Sequence, residues 1–184
     1  MKDRSRRQFL KLGMLALAAG LLPSPARAAL RHIIAPERTL AFHNTHTGEN
    51  IKTVYWAEGN YIPEALAGIN HILRDHRNNE IQDISPALLD LLYSVNSVIE
   101  ARQPMHIISG YRSPATNAML AARSGGVAKH SMHLEGKAID IRMPGRELIQ
   151  VRRAALRLQG GGVGYYPGSD FVHVDVGRVR QWQG

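Results

Sequence analysis

The order of elements along the chain predicts an α+β fold, with a small, mainly antiparallel sheet and helices packed on it. Three observations carry this. Two strand-like stretches, residues 39–42 and 51–56, flank a turn near the start. Two segments with helical spacing follow, over about 63–77 and from Pro86 onward. Two late stretches, 137–143 and 171–176, alternate polar and apolar residues as half-buried strands do.

Ahead of the first strand lies a targeting segment. Ser5-Arg6-Arg7-Gln8-Phe9-Leu10-Lys11 is a twin-arginine pattern, and an apolar run over 12–22 ends at Pro23. That run is shorter than the roughly 20 residues a membrane helix needs. Ala26-Arg27-Ala28 has the small-x-small form of a signal-peptidase site. The expected division is therefore a twin-arginine signal peptide over 1–28 and a single domain over 29–184. Such signals are receptor-read export addresses, which places the mature protein in the periplasm with no stable membrane anchor after cleavage.

The charge balance follows this division. The chain carries a formal net charge of +8, but residues 1–28 hold six of the 23 basic and one of the 15 acidic residues. The remainder is at +3, too little to point to nucleic acid. Without cysteine, the exported domain has no disulfide and depends on its core or on a metal. A monomer is assumed.

The first two strands are joined through His43 to Asn50, where Thr47-Gly48-Glu49-Asn50 supplies turn chemistry, hence a hairpin. His43 and His46 flank the turn, where bonding to solvent or backbone is the ordinary role. In the first helix Ile62, Leu66, Ile69 and Leu73 repeat at spacings of four, three and four. His71 and His76 fall on different faces and make poor joint ligands. The second helix opens with Ser85 as N-cap and Pro86 at its first position. Its buried stripe is Leu88, Leu92, Val95 and Ile99, widened by Leu89, Leu91 and Val98. Residues 105–109 form a short apolar strand, and Ser113-Pro114 starts a third helix running to about Arg123. A fourth helix over 145–158 buries Leu148, Val151, Ala155 and Leu158 and turns Arg146, Arg152, Arg153 and Arg157 mostly to solvent. Gly160-Gly161-Gly162 ends it, and Pro167-Gly168-Ser169 turns between the last two strands.

The chemistry concentrates in Ser131-Met132-His133-Leu134-Glu135-Gly136-Lys137-Ala138-Ile139-Asp140. His133 sits in the loop entering a strand and Asp140 on that strand. The final strand offers a third ligand type, because its alternation puts His173 and Asp175 on one face and Val172, Val174 and Val176 on the other. Two histidines and one aspartate would leave one tetrahedral position of zinc open, as catalytic sites do. On spacing alone, His133 as a turn cap, Asp140 as an arginine partner and His173 as an ordinary sheet histidine remain open. The metal reading requires the nearest nitrogens of His133 and His173 to lie within roughly 6 Å. Arg112, in a strand-to-helix connection, is a surface residue or a partner for Asp140 on the same terms. His130 is a solvated loop histidine or a substrate contact. Ser131 bonds the local backbone or orients a ligand.

The string Ser131-x-His133-x-x-Gly136-x-Ala138-x-Asp140, with His173 on a late strand, resembles the zinc peptidases of the M15 group. Three further landmarks make the chain more similar to the murein endopeptidase subgroup of that fold, the MepK type. They are Asn44-Thr45-His46-Thr47-Gly48-Glu49, Ile108-Ser109-Gly110-Tyr111-Arg112-Ser113 and Gly161-Gly162-Val163-Gly164-Tyr165-Tyr166-Pro167. The resemblance implies an M15/hedgehog-like fold and one Zn2+ on His133, Asp140 and His173. It implies peptidoglycan peptide stems as substrate, cleaved at crosslinks between diaminopimelate residues. It also implies a role for Arg112 at the substrate carbonyl or oxyanion, and an acid just before the last histidine as general base. Asp170 matches that acid, shorter than the glutamate of the dipeptidase branch. Asp175 stands where many members have a second histidine and is open to a role as base, ligand support or alternative ligand. Rival readings are a D-alanyl carboxypeptidase or dipeptidase of the same fold and a non-catalytic wall-binding module.

Overall fold

The hairpin near the start forms as its alternation requires. In this computed structural model, which describes residues 37–123, 128 and 130–184, β1 (Glu37–Asn44) and β2 (Asn50–Ala57) pair antiparallel through a tight turn. The signal segment expected over 1–28 and its cleavage site lie outside the described residues. Next come β3 (Asn60–Tyr61), α1 (Pro63–Ile72), α2 (Pro86–Ile99), β4 (Met105–Ser109) and α3 (Pro114–Arg123). A 3-10 turn at Met132–Glu135 leads into β5 (Ala138–Arg142), followed by α4 (Leu148–Leu158) and β6 (Gly162–Tyr166). After a second 3-10 turn at Pro167–Ser169 come β7 (Phe171–Asp175) and β8 (Arg180–Gln183).

Among the described residues the eight strands form one sheet in the order β3-β2-β1-β4-β5-β7-β6-β8. Five junctions are antiparallel; β1–β4 and β6–β8 are parallel. The α+β class and the antiparallel bias are as the sequence predicts, although a single eight-stranded sheet is larger than expected. The two parallel junctions join strands that are not consecutive along the chain, so local alternation carried no sign of them.

One face of the sheet carries the core. Leu40, Phe42, Met105, Ile107, Ile139, Ile141, Val172 and Val174 form one core with Ile69 of α1, Leu73 just after it, Leu88, Leu92 and Val95 of α2 and Val151 and Ala155 of α4. On β5 both faces are buried, Ile139 and Ile141 toward the helices and Ala138 and Asp140 away from them.

Helix ends depart from the expected ones for local reasons. Helix α1 stops at Ile72 rather than near Arg77, because Asp75 organises the next turn: its amide donates to Glu80 O and its carbonyl accepts from Asn79 N. The Ser85 hydroxyl makes no cap bond to α2, while its carbonyl accepts from Leu88 N. Helix α4 starts at Leu148 rather than Gly145, because Glu147 and Gln150 form a capping box at that point. Ser113 caps α3 as predicted, its Oγ accepting from Thr116 N at 3.2 Å.

Candidate metal centre

The site grows out of two strand pairings and one turn. Antiparallel β5 and β7 place Asp140 directly opposite His173. Their shared face points away from the helices, so both side chains enter the open side of the sheet. His133 arrives from the 3-10 turn before β5, whose entry is fixed by Ser131 Oγ accepting from His133 N at 3.3 Å. The turn closes at Gly136 in the left-handed conformation, φ 63°. A Cβ there would collide with the Asp83 carbonyl oxygen, so only glycine fits.

The three side chains converge. His133 Nε2 and His173 Nδ1 are 3.2 Å apart, and Asp140 Oδ1 lies 3.2 Å from the first and 2.9 Å from the second. All three are buried, with His133, Asp140 and His173 at 1%, 2% and 8% exposure. Adjacent ligands of a tetrahedral zinc with bonds near 2.0–2.1 Å stand about 3.3 Å apart. The observed triangle is close to one face of that tetrahedron.

The second nitrogen of each ring identifies which atoms face the centre. His133 Nδ1 lies 2.7 Å from the Gly110 carbonyl oxygen, which can only accept, so Nδ1 carries the proton. His173 Nε2 lies 3.0 Å from Asp175 Oδ2, which assigns the proton to Nε2. In the neutral rings, His133 Nε2 and His173 Nδ1 then present lone pairs to a carboxylate oxygen. Three lone pairs facing one point repel unless a cation sits among them. The donor set therefore fits a divalent metal with nitrogen and oxygen ligands.

Electrostatics agrees. Burial pushes the His133 pKa down against the pull of Asp140, favouring the neutral ring that a ligand must be. Burial also opposes a charged His173, but the Asp140 and Asp175 carboxylates on either side outweigh it and push its pKa up. A field that favours a proton at Nδ1 also favours a metal cation there. Asp140, despite burial, is held well below the usual carboxylate range by His133 and His173.

The other residues singled out in the sequence are placed as follows. Arg112 donates through Nη2 to Asp140 Oδ2 and through Nε to Ser109 Oγ at 2.8 Å. It is thus the partner of Asp140, and it also lines the cleft. Asp175 is fully buried behind His173 and accepts from the amides of Gly162 and Gly177 at 3.0 and 2.8 Å. Asp170, exposed and with φ 54°, pairs through Oδ2 with Arg142 Nη1 at 2.8 Å and is not among the residues that line the cleft. Ser131 takes the backbone role expected of it. His43 bonds Asn50, and His46 Nε2 bonds the Ile108 carbonyl and stacks on His76 at 3.8 Å. His130 lines the cleft, which has a volume of about 490 Å³ between Arg112, the His133, Asp140 and His173 triad and a wall of Tyr166, Phe171 and Trp182. Of the two tyrosines of β6, Tyr166 faces this cleft and Tyr165 packs against the core.

Sequence reasoning missed Arg180, Trp182 and the Gly110 carbonyl. The one available signal was the alternation of Arg180 and Trp182 in the last five residues, too short a stretch to read as a strand.

Comparison with known proteins adds lineage to this geometry. A family model described as peptidoglycan L,D-endopeptidase MepK, of the M15 peptidases, matches residues 33–182. The chain is 48% identical over 180 residues to the peptidoglycan L,D-endopeptidase MepK of Escherichia coli K12, covering 98% of each chain. It matches the Shigella flexneri protein of that name to the same extent. It is also 40% identical over 184 residues to the "Probable peptidoglycan L,D-endopeptidase MepK" of Haemophilus influenzae, covering 99% of this chain and 97% of the relative. Agreement of this extent means that the chain belongs to the MepK family of M15 peptidases and is a peptidase.

Proposed function

We propose that the protein is a zinc-dependent murein endopeptidase that hydrolyses peptide crosslinks of peptidoglycan, those between diaminopimelate residues, during wall remodelling in the periplasm. The observation that carries this is the convergence of His133 Nε2, His173 Nδ1 and Asp140 Oδ1 on one point beside an open cleft. The names of the relatives support peptidoglycan as substrate. Residues 1–28 act as the twin-arginine signal, and 29–184 are the single catalytic domain.

His133, Asp140 and His173 hold one Zn2+. Bound there, zinc supplies Lewis acidity toward a peptide carbonyl and lowers the pKa of water toward 7. Arg112 keeps a permanent positive charge in the cleft, where it opposes the negative charge developing on the scissile carbonyl oxygen. Asp170 is the general base, taking a proton at Oδ1 and delivering it to the leaving amine. That oxygen has no partner among the described residues, whereas both Asp175 oxygens are occupied. In this role Asp170 would have to leave Arg142, to which it is bonded through Oδ2. Asp175 instead fixes His173.

The deciding experiment digests purified crosslinked muropeptides with protein stripped of metal and then reloaded with zinc, and weighs the products. Crosslinked dimers should become monomers only after reloading. Removal of terminal alanine alone would reassign the protein as a carboxypeptidase. A reloaded, stoichiometrically zinc-bound protein that leaves every substrate intact would make it a wall-binding module.

A further inference from the structure

The last strand reaches across its neighbour into the metal centre. Strand β8 pairs in parallel with β6, in a register that sets Arg180 beside Gly162 and Trp182 beside Gly164. Both β6 positions lack a side chain, and the space is used. A Cβ on Gly162 would sit 2.5 Å from Asp175 Oδ2 and would also strike the Arg180 guanidinium. A Cβ on Gly164 would come within 2.6–2.8 Å of three atoms of the Trp182 indole. The two long side chains of β8 therefore lie flat over β6 and end on β7.

What they meet there is the support of His173. Arg180 Nη2 donates to Asp175 Oδ2 at 2.7 Å and Nη1 to Oδ1 at 3.0 Å, a two-pronged grip on a fully buried carboxylate. Oδ2 of the same carboxylate faces His173 Nε2. Trp182 lies with its ring centroid 5.1 Å from that of His173 and donates from Nε1 to the Tyr166 hydroxyl at 2.8 Å. The guanidinium, through its planar fork, sets the plane of the carboxylate and with it the direction from which Oδ2 accepts from His173 Nε2.

We propose that Arg180 is a positioning residue of the metal centre: gripping Asp175 across the side-chain-free lane of Gly162 and Gly164, it fixes the orientation of the His173 ring so that Nδ1 is held toward the metal position. This rests on His133, Asp140 and His173 being the zinc ligands. It makes β8 part of the catalytic apparatus and gives the glycines of β6 a reason in chemistry as well as in folding.

The test compares the full chain with its Arg180→Met and Arg180→Lys variants. Zinc affinity is measured by chelator competition, the cobalt-loaded visible spectrum reports ligand geometry, and thermal unfolding of the metal-free protein reports fold. Arg180→Met should bind zinc about 10–100-fold more weakly, the range for loss of an outer partner of a ligating histidine, with altered cobalt bands. Arg180→Lys, which keeps charge but loses the fork, should recover thermal stability more fully than zinc affinity. If Arg180→Met fails to fold, the Lys variant alone decides by the same comparison. Zinc affinity and cobalt bands equal to wild type in a folded variant overturn the inference and leave the function standing. A wild-type chain that binds no zinc overturns both.

Discussion

Asp175 Oδ2 lies 3.0 Å from His173 Nε2, and this contact decides which face of the imidazole the protein offers to the centre. With Nε2 committed, the ring presents Nδ1 to Asp140 Oδ1 at 2.9 Å. His133 is oriented in the opposite sense, with Nδ1 committed to the Gly110 carbonyl and Nε2 facing the same oxygen. Two histidines thus use different nitrogens at one site because each has a different partner behind it. Asp175 belongs to this support, and the consequences are measurable.

Exchanging each aspartate separates support from chemistry. Asp175→Asn should weaken zinc about 10–100-fold, since an amide no longer holds the His173 proton in the same way. Asp170→Asn should keep zinc and lower kcat by about 10²–10⁴, the usual worth of a general base. Equilibrium metal titration beside steady-state kinetics distinguishes them. Full activity in Asp170→Asn would remove the base from that residue.

Arg112 touches both Asp140 and the cleft, so its loss should register twice. Arg112→Ala leaves Asp140 Oδ2 without its buried partner and should reduce zinc affinity. At saturating zinc a further loss of about 10²–10³ in kcat is expected from the missing charge. Kinetics repeated across a zinc series separates the two. An activity fully restored by excess zinc would confine Arg112 to holding Asp140.

Asp75, buried at 1% exposure, holds the loop from which Arg112 projects, accepting from Ser113 N at 2.9 Å and Arg77 N at 3.1 Å. Burial opposes its charge, but bonds from Thr116, Ser113 and Arg77 keep its pKa below the usual 3.8. A depressed folded pKa stabilises fully above that value and is lost as pH falls below it. Asp75→Ala should therefore cost about 1–3 kcal/mol near neutrality, the cost of orphaned buried donors. The gap to wild type should narrow in acid. Denaturant midpoints at pH 7 and pH 3 test this, and an equal gap at both would contradict it.

His76 gives a pH response of opposite origin. Burial first, and the stacked His46 second, push its pKa from the usual 6.5 to about 4. Such a base charges more readily in the unfolded chain. Its contribution is complete above about 6.5 and falls away as pH drops toward about 4. His76→Gln should flatten the decline in thermal midpoint between pH 7.5 and pH 5. A slope identical to wild type would show that other groups set it.

Local pattern determined a good deal of this protein by itself. Alternation marked β5 and β7 and put His173 on the face away from Val172 and Val174. Helical spacing named the residues that α2 buries, and Ser113-Pro114 marked the start of α3. Spacing left His133, Asp140 and His173 open to ordinary roles, and it was the resemblance of their string to the M15 peptidases that singled them out together. What no local pattern contains is which strands become neighbours. That choice set Asp140 opposite His173, put Asp175 behind the imidazole, and turned Asp170 toward Arg142. It also brought the chain's last strand to Gly162 and Gly164, a contact that only the folded sheet can specify. Ring nitrogens, ion pairs and close approaches depend on separations of a few ångströms between residues far apart along the chain, and packing alone sets those.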